Sequence, residues 1–264
     1  MSDPTMNYSS YLELDRLLSL QRPRSRPVEH DELLFIVIHQ VYELWFKQLL
    51  HEIDKVKLDF SAGELFAAIA TFKRMRTVMK TLVGQLDILE TMTPLSFSAF
   101  RSRLETASGF QSLQYREVEF ALGYKRQSVM RYIDSSWSGI ERVERRLGEP
   151  SLVDHFYDFL ERRAVTIPEA VKRRRGTPQP TLPDETVQRG LLELYHGSPE
   201  AAILFELMID FDEGLQEWRY RHVKIVERTI GSKQGTGGSP GVEFLKKSLF
   251  LSVFPDLWAI RHEF

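Results

Sequence analysis

The chain has 264 residues, with 35 Lys and Arg against 37 Asp and Glu, giving a formal net charge of −2. That balance creates no overall field favouring nucleic acid or an anionic membrane, and neither partner is expected. The absence of cysteine excludes disulfides, thiolate-held metals, iron–sulfur clusters and Cys nucleophiles, so metal chemistry must rest on His, carboxylates or a cofactor.

The N-terminal "MSDPTMNYSSYLELDRLL" has no basic segment leading into an apolar core, so no signal peptide is expected and a cytoplasmic location follows by default. The longest apolar run, Leu33 to Ile38, is six residues, far short of a membrane span. Helix-period patterns dominate from there, without two-residue alternation. The first long helix is predicted from about Glu29 to Phe60, with acidic residues in its first turn where the dipole favours them. Ser61 and Glu64 have capping-box spacing and predict the start of a second long helix to about Glu90. "TMTP" stops it, a short helix follows Pro94, and "QSLQYREVEFAL" makes another up to Gly123.

Residues 126–196 read as a peripheral section of shorter helices, punctuated by "SSWSG", "GEPS" and "RRRGTPQPTLPD". The basic run there reads as a solvated loop. Ser198 and Pro199 then signal a cap and first turn for a long helix to Ile230. The glycine-rich "GSKQGTGGSPG" follows, and a last helix is expected from about Val242 to Val253. With no repeat and no dividing linker, the expected architecture is a single all-α domain over residues 1–264.

Two histidines lie on apolar helix stripes. His39 shares a face with Phe35, Tyr42 and Phe46; His222 continues the series Phe211, Leu215, Trp218, with Ile225 and Thr229 beyond. A lone histidine in such a stripe is usually a satisfied core residue. A pair in a cysteine-free helical chain raises the prospect of a b-type haem, which needs a neutral imidazole, apolar walls and cations near its propionates. Arg219 and Arg221 flank His222 and are candidates for those cations. A carboxylate-bridged di-iron site needs two Glu-x-x-His motifs, and only Glu193 to His196 has that form. His51–Glu52 lacks the second histidine of a zinc-protease helix. The glycine loop fails as a phosphate cradle: Lys233 precedes the central glycines, and the preceding element is a helix rather than a strand. A flexible connection or a mobile flap over a small molecule remains.

Three stretches together with the glycine loop carry a resemblance. "HDELLFIVIHQVYELWFKQLLHE", "LETMTPLSFSAFRSRLETASGFQSLQYR" and "WRYRHVKIVERTIGSKQGTGGSPGVEFL" are similar to the tryptophan 2,3-dioxygenases, and "YSSYLELDRLL" fits as well. The resemblance implies an all-helical homotetramer with one haem b per subunit, inserting both atoms of O2 across the indole C2–C3 bond of L-tryptophan to give N-formylkynurenine. It implies His222 as the axial iron ligand and His39 as the residue meeting the indole N–H. Phe35, Phe97 and Leu104 would line the pocket, Arg101 would grip the substrate carboxylate, and Thr236 would contact the amino-acid end. Tyr8, Tyr11 and Leu12 of residues 1–28 would complete the pocket of a neighbouring subunit. Some family members carry Tyr where this chain has Phe97, so a hydroxyl beside Arg101 is missing here.

In this picture the glycines act as hinges bringing Thr236 to the substrate, with the loop mobile before ligand binds and Pro240 stiffening one end. Two alternatives stay open: a relative in secondary metabolism oxygenating a substituted tryptophan, as a dioxygenase or as a monooxygenase inserting one oxygen atom, left open because the chain reads as short for the family, and a haem sensor or carrier without turnover. A complete set of substrate contacts argues against the sensor.

Overall fold

The computed structural model describes residues 5–237 and 241–264. Two one-turn helices, α1 (Tyr8–Tyr11) and α2 (Leu14–Leu17), precede the long helices α3 (His30–Ala62) and α4 (Leu65–Leu89). The shorter α5 (Pro94–Arg101) and α6 (Leu113–Leu122) follow. The middle of the chain contains α7 (Ile140–Gly148), α8 (Leu152–Glu161), α9 (Glu169–Lys172) and α10 (Glu185–Gly197). The 32-residue α11 (Pro199–Ile230), α12 (Val242–Lys246) and α13 (Pro255–Ala259) complete it. No strand forms among the described residues, and the fold is an all-α single domain.

The central layer is α3, α4 and α11, with α11 packed most extensively along α4. Their apolar stripes meet in a phenylalanine core: Phe60 packs on Phe72, Phe156 and Phe159 at centroid distances of 6.1, 5.7 and 5.1 Å. Phe72 also meets Phe211 and Phe254. Truncating one such fully buried ring to Ala costs about 3–5 kcal/mol. Because Phe156 and Phe159 lie on α8, the 126–196 section is joined to this core by packing. The most apolar 18 residues of α3 reach a mean hydropathy of 1.2, enough by length and composition to cross a bilayer; the helix packs on α4, α6 and α8.

Two expected boundaries move. Ser61 caps nothing: it lies inside α3 and its hydroxyl donates to Lys57 O at 2.9 Å, while Gly63 closes α3 in the left-handed region at φ 78°. A left-handed glycine stops a helix more decisively than a hydroxyl two residues earlier starts one. The last predicted helix is shorter than expected, ending at Lys246 instead of Val253. Asp212 captures the backbone N–H groups of Val253 and Phe254 at 2.8 and 3.1 Å, so that stretch is held as irregular chain against α11. The start of α11 is as expected, with the Ser198 hydroxyl accepting from Ala201 N and Pro199 in the first turn.

Candidate active site

Helices α3, α5, α6, α11 and α12 enclose one cavity. His39, Phe35, Phe97, Arg101, Leu104, His222 and Thr236, seven residues singled out from the sequence, all line it. Tyr8, Tyr11 and Leu12 do not: they are 76%, 71% and 41% exposed on the N-terminal segment.

The α11 stripe delivers His222 to the cavity wall, and its ring stacks on Trp218 one turn earlier, with centroids 5.2 Å apart and planes within 4°. Burial pushes the His222 imidazolium down to about 4, with His39 and the Arg116 guanidinium adding repulsion. The ring is therefore neutral near pH 7 and keeps a lone pair for a metal. Across the cavity, His39 Nδ1 lies 2.7 Å from Phe35 O. A carbonyl only accepts, so Nδ1 carries the hydrogen. Burial also lowers the His39 pKa, partly offset by that hydrogen bond and by Glu43. Neutral His39 thus has Nε2 free as an acceptor. Phe35 packs on His39 at 4.1 Å, and Phe97 and Phe100 extend the apolar wall at 5.7 and 5.5 Å from Phe35.

Arg101 ends α5, where its side chain reaches under the glycine loop and Nη2 donates to Gln234 O at 2.9 Å. The Thr236 hydroxyl donates to Ala107 O, and Gly235, Thr236 and Gly241 contribute to the cavity wall. The loop therefore covers part of the cavity, fastened at two points. A Cβ at Gly237 would come within 2.8 Å of Ser108 Cβ, so only glycine lets the loop settle that closely. Pro240 lies outside the described residues.

The cavity also has a basic stretch of wall, and sequence reasoning identified only part of it. Arg219 lines the cavity. Arg221 points away, paired with Asp87 at 2.7 Å and Glu90 at 3.1 Å, because a neighbour along a helix faces a direction about 100° round. Arg116, Glu119 and Arg126 were missed; all three line the cavity, and Arg116 and Glu119 are 4% and 2% exposed. The available signal was "YREVEF", where charges recur three residues apart on a helix that is otherwise buried.

No group of three or more His or carboxylate side chains suited to a metal ion occurs among the described residues, which leaves the di-iron reading without a donor set. A single neutral imidazole cannot hold iron alone; a macrocycle supplying the equatorial donors can. The neutral His222, the apolar walls and the surplus of buried guanidinium groups at one end fit a haem with its acidic edge at that end.

An all-helical domain that sets two neutral imidazoles in one apolar cavity, with an arginine and a threonine in its wall, has the form of an enzyme site able to enclose a small molecule. The sequence matches the family described as Tryptophan 2,3-dioxygenase over residues 1–176 and 180–263. It is 52% identical to the tryptophan 2,3-dioxygenase of Herpetosiphon aurantiacus, over 97% of each chain. It is also 50% identical to that of Anaeromyxobacter sp. (strain K), over 99% of each. The chain belongs to the tryptophan 2,3-dioxygenase family. Its length, which read as short, is matched by these relatives, and that removes the ground for placing it among shortened relatives of other specificity.

Proposed function

We propose that this chain cleaves the indole C2–C3 bond of L-tryptophan with O2, releasing N-formylkynurenine, on a haem b held by His222. The family is haem-dependent and uses O2. When bound, the haem supplies an iron centre able to activate O2 beside the indole.

The protein's own groups orient and enclose the substrate. Arg101 exchanges its bond to Gln234 O for the substrate carboxylate, since a planar guanidinium matches a carboxylate in two parallel bonds. Thr236 meets the amino-acid end from the loop. His39 Nε2 accepts the indole N–H, which fixes the ring's rotation against Phe35, Phe97 and Leu104. Holding the reactants in one orientation can supply several kcal/mol of the barrier reduction, about 7 kcal/mol or more in favourable cases. The docked loop keeps bulk water from the reacting atoms. Tyr8, Tyr11 and Leu12, exposed in the single chain, complete the site of a neighbouring subunit in a homotetramer.

The observation that carries this reading is the neutral His39 with its acceptor nitrogen free, in one cavity with neutral His222 and Arg101. The test is incubation with L-tryptophan, a reductant and 18O2, followed by product mass analysis. Incorporation of both labelled atoms supports the reading; incorporation of one sinks dioxygenation, and absence of turnover by haem-replete protein favours a sensor.

A further inference from the structure

The molecule has a second, smaller cavity that shares no residue with the one around His39 and His222. We propose that it holds a single monovalent anion of about the size of chloride, between Lys125 and Arg174. Its volume is about 20 Å3, room for one water-sized or chloride-sized guest. The start of α8 forms one part of the wall, with Ser151, Asp154 and Tyr157. The chain between α9 and α10 forms another, with Arg174 and Thr181. The basic run that reads in the sequence as a solvated loop therefore folds back along α8 and encloses polar space.

Lys125 carries the argument. It is 2% exposed, and its Nζ donates to one neutral acceptor, the Glu149 carbonyl. An ammonium has three N–H donors, so two are unspent, and among the described residues Lys125 forms no ion pair. The nearby carboxylates are committed elsewhere. Glu149 takes Lys57 at 3.1 Å and Arg146 at 2.7 Å. Asp154 Oδ2 accepts from Ser151 N at 2.6 Å and from Ser151 Oγ at 2.8 Å, completing the capping box of α8. Burial lowers the Lys125 pKa and Lys57 repels its charge, while Asp154 and Glu149 offset this only in part. A buried cation without a counter-charge is strongly destabilising, and Lys125 has a dipole for a partner where it needs a charge.

Arg174 is the second observation. Its guanidinium lines the same cavity and has no hydrogen-bond or ion-pair partner among the described residues. The cations beside it in sequence do: Lys172 pairs with Glu161, and Arg175 pairs with Asp158 and donates to Asp154 O at 3.2 Å. The backbone at 174 is fixed, because Thr177 N and Thr177 Oγ1 both donate to Arg174 O, at 3.0 and 2.6 Å. The cavity is thus lined by two cations and one carboxylate, and the positive end of the α8 dipole adds to the surplus. A water would fill the volume and leave that surplus in place. A monovalent anion fills the volume and cancels it, whereas a divalent anion would bring a second uncompensated negative charge beside Asp154.

The test replaces chloride by bromide in crystals of the whole protein, with anomalous scattering collected at the bromine edge. A peak between Lys125 Nζ and Arg174 is expected; a cavity holding only water overturns the proposal. Melting is then followed by calorimetry in sodium chloride against sodium gluconate at equal ionic strength. At a tenfold excess of chloride over its Kd, Tm should rise by roughly 3–6 °C. Lys125→Met should abolish the peak and the chloride response; the response is the readout, because removing a buried charge shifts Tm by itself. Should Lys125→Met fail to fold, Arg174→Met changes an exposed position and should weaken chloride binding roughly tenfold. A bromide peak without a chloride response, or a response unchanged in either variant, identifies an adventitious ion only and overturns the site. A response to sulfate as large as that to chloride overturns the monovalent assignment.

Discussion

Replacing Arg101 with Met removes the guanidinium that bonds the glycine loop while keeping most of the side chain's length and apolar stem. In the structure this group makes one hydrogen bond to a neutral carbonyl, Gln234 O at 2.9 Å. Such a bond contributes about 0.5–1.5 kcal/mol net, and a bond to an ionised carboxylate about 1.5–3 kcal/mol. Substrate binding exchanges the first for one or two of the second, so the side chain is worth about 2–3 kcal/mol to tryptophan binding, a factor of roughly 30–150. Arg101→Met is therefore expected to raise KM for L-tryptophan by that factor with haem content unchanged. Arg101→Lys should recover only part, because a point charge cannot form two parallel bonds. Tryptamine, which lacks the carboxylate, separates recognition from loop fastening: the advantage of tryptophan over tryptamine should nearly vanish in the variant. If KM for tryptophan stays within about threefold of the parent, or if tryptamine suffers equally, the carboxylate assignment is wrong.

Burial holds the folded pKa of His39 below its ordinary 6.5, so its neutral form and any stability linked to it are complete above pH 6.5 and are lost as pH falls through the folded pKa. kcat/KM should therefore decline on the acid side with an apparent pKa under 6.5, and the pH profile of His39→Gln should lack that limb. Gly237→Ala places a methyl group 2.8 Å from Ser108 Cβ, so the loop must lift: KM is expected to rise several-fold in steady-state assays while the melting temperature holds. Asp212 is fully buried and accepts from Val253 N, Phe254 N and Trp258 Nε1. Asp212→Ala orphans all three donors, about 3–5 kcal/mol, and calorimetry should show a fall of roughly 10 °C in melting temperature.

The long helices and the two histidines could be read from the chain because both depend on local periodicity. An apolar stripe at helical spacing specifies its own buried face, and His39 and His222 sit within such stripes, where both line the cavity. Helix ends were less legible. The Ser61–Glu64 spacing was sound local chemistry, but Gly63 lay between the two residues and could take a backbone conformation that neither could. The irregular chain after Lys246 depends on Asp212, some forty residues away, and no local pattern announces a carboxylate that will cap distant amides.

The basic end of the cavity was the least legible part, for an electrostatic reason. A charged residue in a helix is ordinarily solvated, so Arg116 and Glu119, in a short helix with ordinary charge content, look like surface positions. What places them inside is a pairing that closes only in three dimensions: Glu119 reaches forward to Arg126 beyond the end of α6, and Arg219 arrives from α11 nearly a hundred residues later. Two cations on one carboxylate would be a poor use of buried charge in a protein complete by itself, because desolvation outweighs the attraction. Arg221, the arginine nearest His222 in sequence, instead pairs outward with Asp87 and Glu90, where water shares the cost.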